Sequence, residues 1–281
     1  MHRSMESENM PTLQFAIDMQ NASMVLTERH LPRTTSTNDE AIAWLKTAAP
    51  GTALSVWTSN QTHGRGQRGN EWEQREGLDL AWSLAIKWAD SAIEADPIAL
   101  NKAVTARLCA AVEHLISGHG VECGIKWPND ILLRRAGEPW QKCAGLLIES
   151  SWKAGRWDGV CIGLGVNVNS DREGAPRQCS LRDYTQSTFP LSSIASALCE
   201  AALEALEEAD CEAEYNRRLI GLKNPLRFCH LEHPGIGIIE GVNAKGSLVL
   251  NWQPEGSSAK RLEVAQSNEL KWDGLWLSAR D

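Results

Sequence analysis

The sequence predicts an α+β protein, with strands and amphipathic helices interleaved up to about Asn224 and a small all-β unit after it. Three observations carry that reading. Leu78, Leu80, Trp82, Leu84, Ile86 and Trp88 alternate with Asp79, Ala81, Ser83, Ala85 and Lys87, the period of two that marks a strand. Behind Pro97, the residues Leu100, Val104, Leu108, Ala111, Val112 and Leu115 keep the 3.6-residue helical period until Gly118 and Gly120. After Gly221 the texture becomes short apolar runs, Ile236 to Ile239, Leu248 to Trp252 and Leu262 to Val264, separated by Gly, Asn and Pro. The units expected are an N-terminal arm over 1–27, a main unit over 28–223 and the small β unit over 224–281.

Taken in order, residues 1 to 25 show no clear periodicity and read as a loosely docked arm. Thr37-x-x-Glu40 has the form of a capping box, and Ala41, Trp44, Leu45 and Ala48 follow at helical spacing before Pro50-Gly51. Ser36, Thr37 and Asn38 at the start of that helix serve either as caps or as hydroxyl and amide groups offered to a ligand. Thr52 to Thr58 reads as a buried strand. Val121 to Leu133 contains a strand that stops at Trp127-Pro128, because proline removes a ladder donor and Asn129-Asp130 favours a turn. Lys126 and Asp130 then put opposite charges at one sheet rim. Lys142 opens a strand that runs to Glu149 with a close-packing Gly145. Gly163 and Gly165, inside the strand that ends at Asn167, mark close approach by a ligand or another backbone. From Pro190 to about Arg218 the pattern is one acidic amphipathic helix, with Ile194, Leu198, Ala202, Ala205, Leu206 and Ala209 on one face and a solvated charged side.

Between the two strands of the first half lies Gln61-Thr-His-Gly-Arg-Gly-Gln-Arg-Gly-Asn-Glu-Trp72. Its glycines let the backbone approach a ligand closely, and Arg65 and Arg68 add two permanent charges, a combination suited to an anion such as phosphate. Taken alone, a Gly/Arg-rich segment of this kind is more often a solvated hairpin connection.

The chain has 281 residues and a formal charge of −8, with a pI near 5.5. That balance argues against a general binder of nucleic acid or anionic membrane, which needs a net basic face. No run of apolar residues is long enough to span a membrane and the first ten residues are polar, so a cytoplasmic protein is expected. The eight cysteines stand singly with no Cys-x-x-Cys pair and read as small buried hydrophobes rather than metal ligands. The twelve tryptophans sit mostly in strand or helix patterns, as core residues do.

Five motifs together resemble the biotin protein ligases: Thr35-Ser-Thr-Asn38; Gln61-Thr-x-Gly-Arg-Gly66 with Trp72; Lys126-Trp-Pro-Asn-Asp130; Lys142-x-Ala-Gly145 with Glu149; and Gly163-x-Gly-x-Asn167. The resemblance covers roughly residues 28 to 281. It implies a mixed β-sheet with helices packed on one side, followed by a Src-homology-3-like barrel. It also implies ATP, Mg²⁺ and biotin as small molecules, and a biotin carboxyl carrier domain as acceptor. By the same resemblance Ser36, Thr37, Asn38, Gln61, Gly145, Gly163 and Gly165 belong to biotin, with Arg65, Gly66 and Gln67 on the loop that closes over its carboxylate. Arg68, Asn70, Trp72, Asn129 and Asn167 fall on the nucleotide side. Lys126 lies near the phosphates and Lys142 bridges carboxylate and α-phosphate, while Asp130 orients or deprotonates the acceptor amine. The family's loop often carries arginines where this chain has Gln67 and Asn70, and a Gly-Glu pair is expected where it has Ser267-Asn-Glu269.

Other classes fit the sequence less well. A biotin-sensing repressor needs a helix-turn-helix unit, for which the stretch before residue 28 is too short, and no DNA partner is expected. A lipoyl or octanoyl transferase shares the core but wants a different glycine- and arginine-marked loop. A non-enzymatic biotin-binding module would leave Lys142 without a role. Oligomeric state is not readable from the sequence.

Overall fold

The computed structural model describes residues 13–19, 22–89, 96–172, 174–175, 177–207 and 212–273. In chain order the strands are β1 (Leu13–Met19), β2 (Ala22–His30), β3 (Thr52–Thr58), β4 (Gly64–Arg65), β5 (Glu71–Trp72), β6 (Leu80–Lys87), β7 (Val121–Lys126), β8 (Asp130–Arg135), β9 (Gln141–Lys153) and β10 (Arg156–Val166). The helices are α1 (Thr37–Leu45), α2 (Pro97–Leu115), α3 (Leu181–Thr185), α4 (Leu191–Glu207) and α5 (Glu212–Arg218). Strands β11 (Pro225–His230), β12 (His233–Val242), β13 (Leu248–Pro254), β14 (Lys260–Val264) and β15 (Leu270–Lys271) complete the chain.

Eight strands form one sheet in the order β1-β2-β3-β6-β10-β9-β8-β7, mixed because β2 and β3 run parallel and the other neighbours antiparallel. The last five strands form the expected second, antiparallel Src-homology-3-like sheet, ordered β14-β13-β12-β11-β15. The alternation over 78–88 marks β6, but this strand is not half-exposed. Leu80 through Ile86 are buried on both faces because β6 lies in mid-sheet between two helical layers. Leu80, Trp82, Leu84 and Ile86 join the main core with α2 and α4, where each fully buried aliphatic side chain contributes about 1.5–3 kcal/mol.

The long helices lie on one face, as expected, and α1 takes the other. Its Ala41 and Leu45 pack in a separate small cluster with Leu54, Val56, Ala85 and Cys161. The small residues on this face let α1 come close. A Cβ added at Gly159 would stand 3.2 Å from Leu45 Cδ2.

Two local expectations are corrected. Residues 13–19 are not a loose arm: they form β1, an antiparallel partner to β2 at the sheet edge. The cap of α1 is Ser36, whose hydroxyl accepts from Asp39 N, one residue ahead of Thr37, while Glu40 accepts from Thr34. Within the stretch 190–218 the described helical residues are Leu191–Glu207 (α4) and Glu212–Arg218 (α5), and 208–211 lie outside the described residues. Ala209 lies outside the described residues. The rest of the apolar face of α4 is as expected, with Ile194, Leu198, Ala202 and Ala205 buried. Cys109, Cys143, Cys161, Cys179 and Cys199 are buried free thiols, whereas Cys123 and Cys229 are half-buried; Cys211 lies outside the described residues. Among the described residues no helix is long and apolar enough to cross a membrane.

Candidate active site

On the α1 face of the sheet, the residues singled out from the sequence line one cavity of about 300 Å³, with the exception of Asn167. Its floor is the start of β6, the first half of β9 and the end of β10, one end is the start of α1, and its roof is the glycine loop.

The floor explains the glycines. A Cβ at Gly163 would fall on the Asn38 carboxamide, and one at Gly165 would fall on the Trp72 indole. The close approach is thus made by side chains of this chain. Ser83, directly opposite Gly163 in the sheet, lies 2.8 Å from Thr37 Oγ1 and 2.7 Å from Asn38 Oδ1. Asn38 Oδ1 only accepts, so Ser83 donates to it and takes its second contact as acceptor from Thr37. Thr37 N donates to Gln61 Oε1 at 2.8 Å. At its other end Asn38 Nδ2 donates to Glu149 Oε2 at 2.9 Å and to Leu147 O at 3.3 Å. These amide and hydroxyl groups are therefore fixed by one another, as a site that reads a small polar ring requires.

Cations stand along the same floor. Lys142 comes from a β-bulge: opposite β8 the register passes from Ile131↔Ala144 to Leu132↔Lys142, so Cys143 is the extra residue and re-aims Lys142. Its stem lies over Gly145, where a Cβ would be 3.1 Å from Nζ, and Nζ sits 5.5 Å from the Trp72 ring centroid. Asp130 Oδ1 holds Lys142 Nζ at 2.7 Å, and Oδ2 is 3.5 Å from Lys126 Nζ. The Lys126–Asp130 pairing at a sheet rim is thus as the sequence suggests, with Lys142 as a third member. Above them, Arg65 Nη2 reaches Asp39 Oδ1 at 2.7 Å and Glu149 Oε2 at 3.0 Å.

The roof is a short hairpin of β4 and β5. Its turn closes through Gly66 N to Asn70 O at 2.7 Å, with Arg68 at φ 58 and Gly69 at φ 79 in the left-handed region. At the tip Arg68 Nη1 donates to Asn268 Oδ1 at 2.5 Å. Ser267 and Asn268 of the small β unit thereby line the cavity, as do Pro128 and Leu147. Ser267-Asn-Glu269 and Pro128 were named in the sequence without a role in the cavity, and Leu147 was not named. Ser83 was missed as well, and its position opposite the first glycine of Gly163-x-Gly is the signal that points to it.

Asn167 is placed differently. Its Nδ2 donates to Cys179 O at 2.9 Å and its Oδ1 accepts from Arg172 Nη2 at 2.9 Å, so its amide braces backbone behind the floor. Arg172 in turn forms a fully buried pair with Asp79 at 2.6 Å, and Asp79 accepts from Arg75 N and Val168 N. Asn129 faces the cavity, with its amide on Leu146 O, and Tyr215 OH holds the Pro128 carbonyl at 2.7 Å. Burial pushes the Cys161 thiol well up, and hydrogen bonding with Cys179, then burial, raises Cys143. Among the described residues no three His, Cys, Asp or Glu side chains come together as a metal cluster.

Comparison with known proteins bears on the family and the fold. Residues 30–167 match the biotin/lipoate A/B protein ligase family. A biotin--[acetyl-CoA-carboxylase] ligase of Paracoccus denitrificans is 30% identical over 240 residues, covering 78% of this chain and 92% of that protein. One from Mycobacterium tuberculosis is 28% identical over 229 residues, covering 78% and 81%. The fold is that of the biotin protein ligase from Aquifex aeolicus, solved in complex with biotin and ATP, with a TM-score of 0.63 and 22% identity over 87% of this chain and 97% of that one. With that relationship over most of its length, the chain belongs to the biotin protein ligases of the biotin/lipoate A/B protein ligase family.

Proposed function

We propose that the chain activates biotin with ATP to biotinyl-5′-adenylate and transfers the biotinyl group to a lysine of the biotin carboxyl carrier domain of an acetyl-CoA carboxylase. The observation that carries this reading is the position of Lys142. It is re-aimed by a bulge onto the floor that also holds the Ser83–Asn38–Glu149–Arg65 chain, with Asp130 and Lys126 beside it.

The chemistry needs such a row. Biotin's carboxylate oxygen attacks the α-phosphorus of ATP, forming the mixed anhydride and expelling pyrophosphate. Two anions must be brought together, so fixed cations are worth most where the new bond forms. Lys142 meets the carboxylate and α-phosphate, Lys126 meets the phosphates, and Arg65 closes from above. Mg²⁺ enters as part of the substrate Mg·ATP. Ser36, Thr37, Asn38 and Gln61 hold the ureido ring of biotin. Trp72, Asn129, Arg68 and Asn70 face the adenine and ribose side, and Asn167 acts behind the floor.

In the second step the acceptor amine attacks the carbonyl, the C–O bond to phosphate breaks and AMP leaves with its electron pair. Asp130 has both oxygens on lysines, which makes it first the residue that orients Lys142 and Lys126. Once phosphates engage those lysines, it faces the incoming amine. The setting that fits this reaction is the cytoplasm.

The test is incubation of the purified chain with biotin, Mg·ATP and a carrier domain, followed by acceptor mass and AMP release. The expected result is a gain of one biotin per acceptor, matched by AMP. Tight biotin binding with no transfer contradicts the ligase reading and leaves a binding protein.

A further inference from the structure

The Arg65 guanidinium is already occupied by carboxylates of the protein itself. Nη2 lies 2.7 Å from Asp39 Oδ1 and 3.0 Å from Glu149 Oε2, with Nη1 3.4 Å from Glu149 Oε1. The two acids are not equivalent. Glu149 is 30% exposed, lies on β9 and also accepts from Asn38 Nδ2, so it belongs to the hydrogen-bonded floor. Asp39 is 53% exposed, sits in the first turn of α1, and has Arg65 as its only side-chain partner among the described residues. Its charge is also favoured there without Arg65, because a helix N-terminus welcomes an anion.

An arginine fork accommodates one carboxylate bidentately, and a third anion beside Asp39 and Glu149 meets like-charge repulsion. The weaker-held acid must yield. We propose that Asp39 is an internal anion that occupies Arg65 until the carboxylate of biotin displaces it, and that it thereby sets the affinity for the charged end of the substrate. This rests on the reading above that Arg65 meets that carboxylate. Displacement is cheap, since an exposed ion pair contributes little, and the freed Asp39 remains solvated at the helix start. Glu149 stays in place, holding Asn38 for the ring end of the ligand.

Affinities of biotin and of its neutral alcohol analogue, with CH₂OH in place of the carboxylate, separate this role from a structural one. The expected result is that Asp39→Asn tightens biotin binding about two- to fivefold and leaves the alcohol unchanged. Asp39→Glu, which keeps the anion, stays near the unsubstituted protein. Biotin binding that is unchanged or weaker in Asp39→Asn overturns the proposal, as does an equal shift for both ligands, which would indicate repositioning of α1. If the unsubstituted chain binds neither ligand, the biotin reading of the cleft fails, and this proposal with it.

Discussion

Gly163 and Asn38 illustrate how single residues build the cleft. The absence of a side chain at position 163 leaves room for the Asn38 carboxamide, which Ser83 and Glu149 then fix from either side. Gly163→Ala must push Asn38 out of that space and leave polar groups in the floor unpaired, at a cost of about 1–3 kcal/mol. The expected outcome is a loss of biotin affinity of about tenfold or more by calorimetry, with the far-UV circular dichroism unchanged; undiminished affinity would show that Asn38 does not read the ligand. At this scale residue type was legible and residue partner was not. The sequence marks glycines at 163 and 165 as places of close approach, but only tertiary structure says that Asn38 and Trp72 fill them. Asn167 reads as a polar residue at a strand end, yet Arg172, five residues on and buried by its pairing with Asp79, turns its amide away from the cavity.

Among the elements, those with a clean period were legible and those shaped by interruption were not. Strand β3 and helix α2 have the expected bounds because each is specified by an unbroken pattern with a Pro or Gly at its limit. The bulge that aims Lys142 has no such signature, since it depends on pairing with β8. Strand β1 did carry a signal: Leu13, Phe15, Ile17 and Met19 alternate with Gln14, Ala16 and Asp18, and the segment belongs to a sheet rather than an arm.

Helix α5 is tied down by charge. Glu214 accepts from Arg217 and Arg218, and Arg218 also pairs with Glu113 of α2 at 2.8 Å. Burial alone would raise the Glu214 carboxyl, but the hydrogen bonds from the two arginines outweigh it and hold it below its ordinary value of 4.5. A carboxylate depressed in the folded state contributes stability above its unfolded value and loses it as pH falls through the folded one. Glu214→Gln is therefore expected to cost stability at neutral pH, with the gap closing as urea denaturation is repeated below about pH 4.5. A gap that stays constant down to pH 3 would show that the pair is not what the substitution removed.

The whole molecule assembles its site from parts distant in sequence. The small β unit was legible as short strands, but its docking was not, because its polar contacts with the rest of the chain are scattered bonds without any periodic pattern. Trp127 Nε1 donates to Gly246 O at 3.1 Å, buried Lys102 donates to Val242 O at 3.3 Å, and Arg68 reaches Asn268. One continuous apolar core, from Trp82 and Val104 to Phe228 and Trp252, lies beneath these contacts. The loop over the cleft is thus clasped from the C-terminal side as well as by Asp39 and Glu149. Where the family's loop often has arginines at the positions of Gln67 and Asn70, the Arg68–Asn268 contact supplies a hold of another kind.

The central claim is that this assembly places Lys142 between the carboxylate of biotin and the α-phosphate of ATP. The most direct measurement is biotin-dependent exchange of labelled pyrophosphate into ATP by the unsubstituted chain and by Lys142→Met, with biotin affinity and thermal unfolding recorded for both. The expected result is ready exchange by the first and a loss of at least about a hundredfold in the second, with fold and biotin binding retained. Exchange by Lys142→Met at the unsubstituted rate would contradict the account.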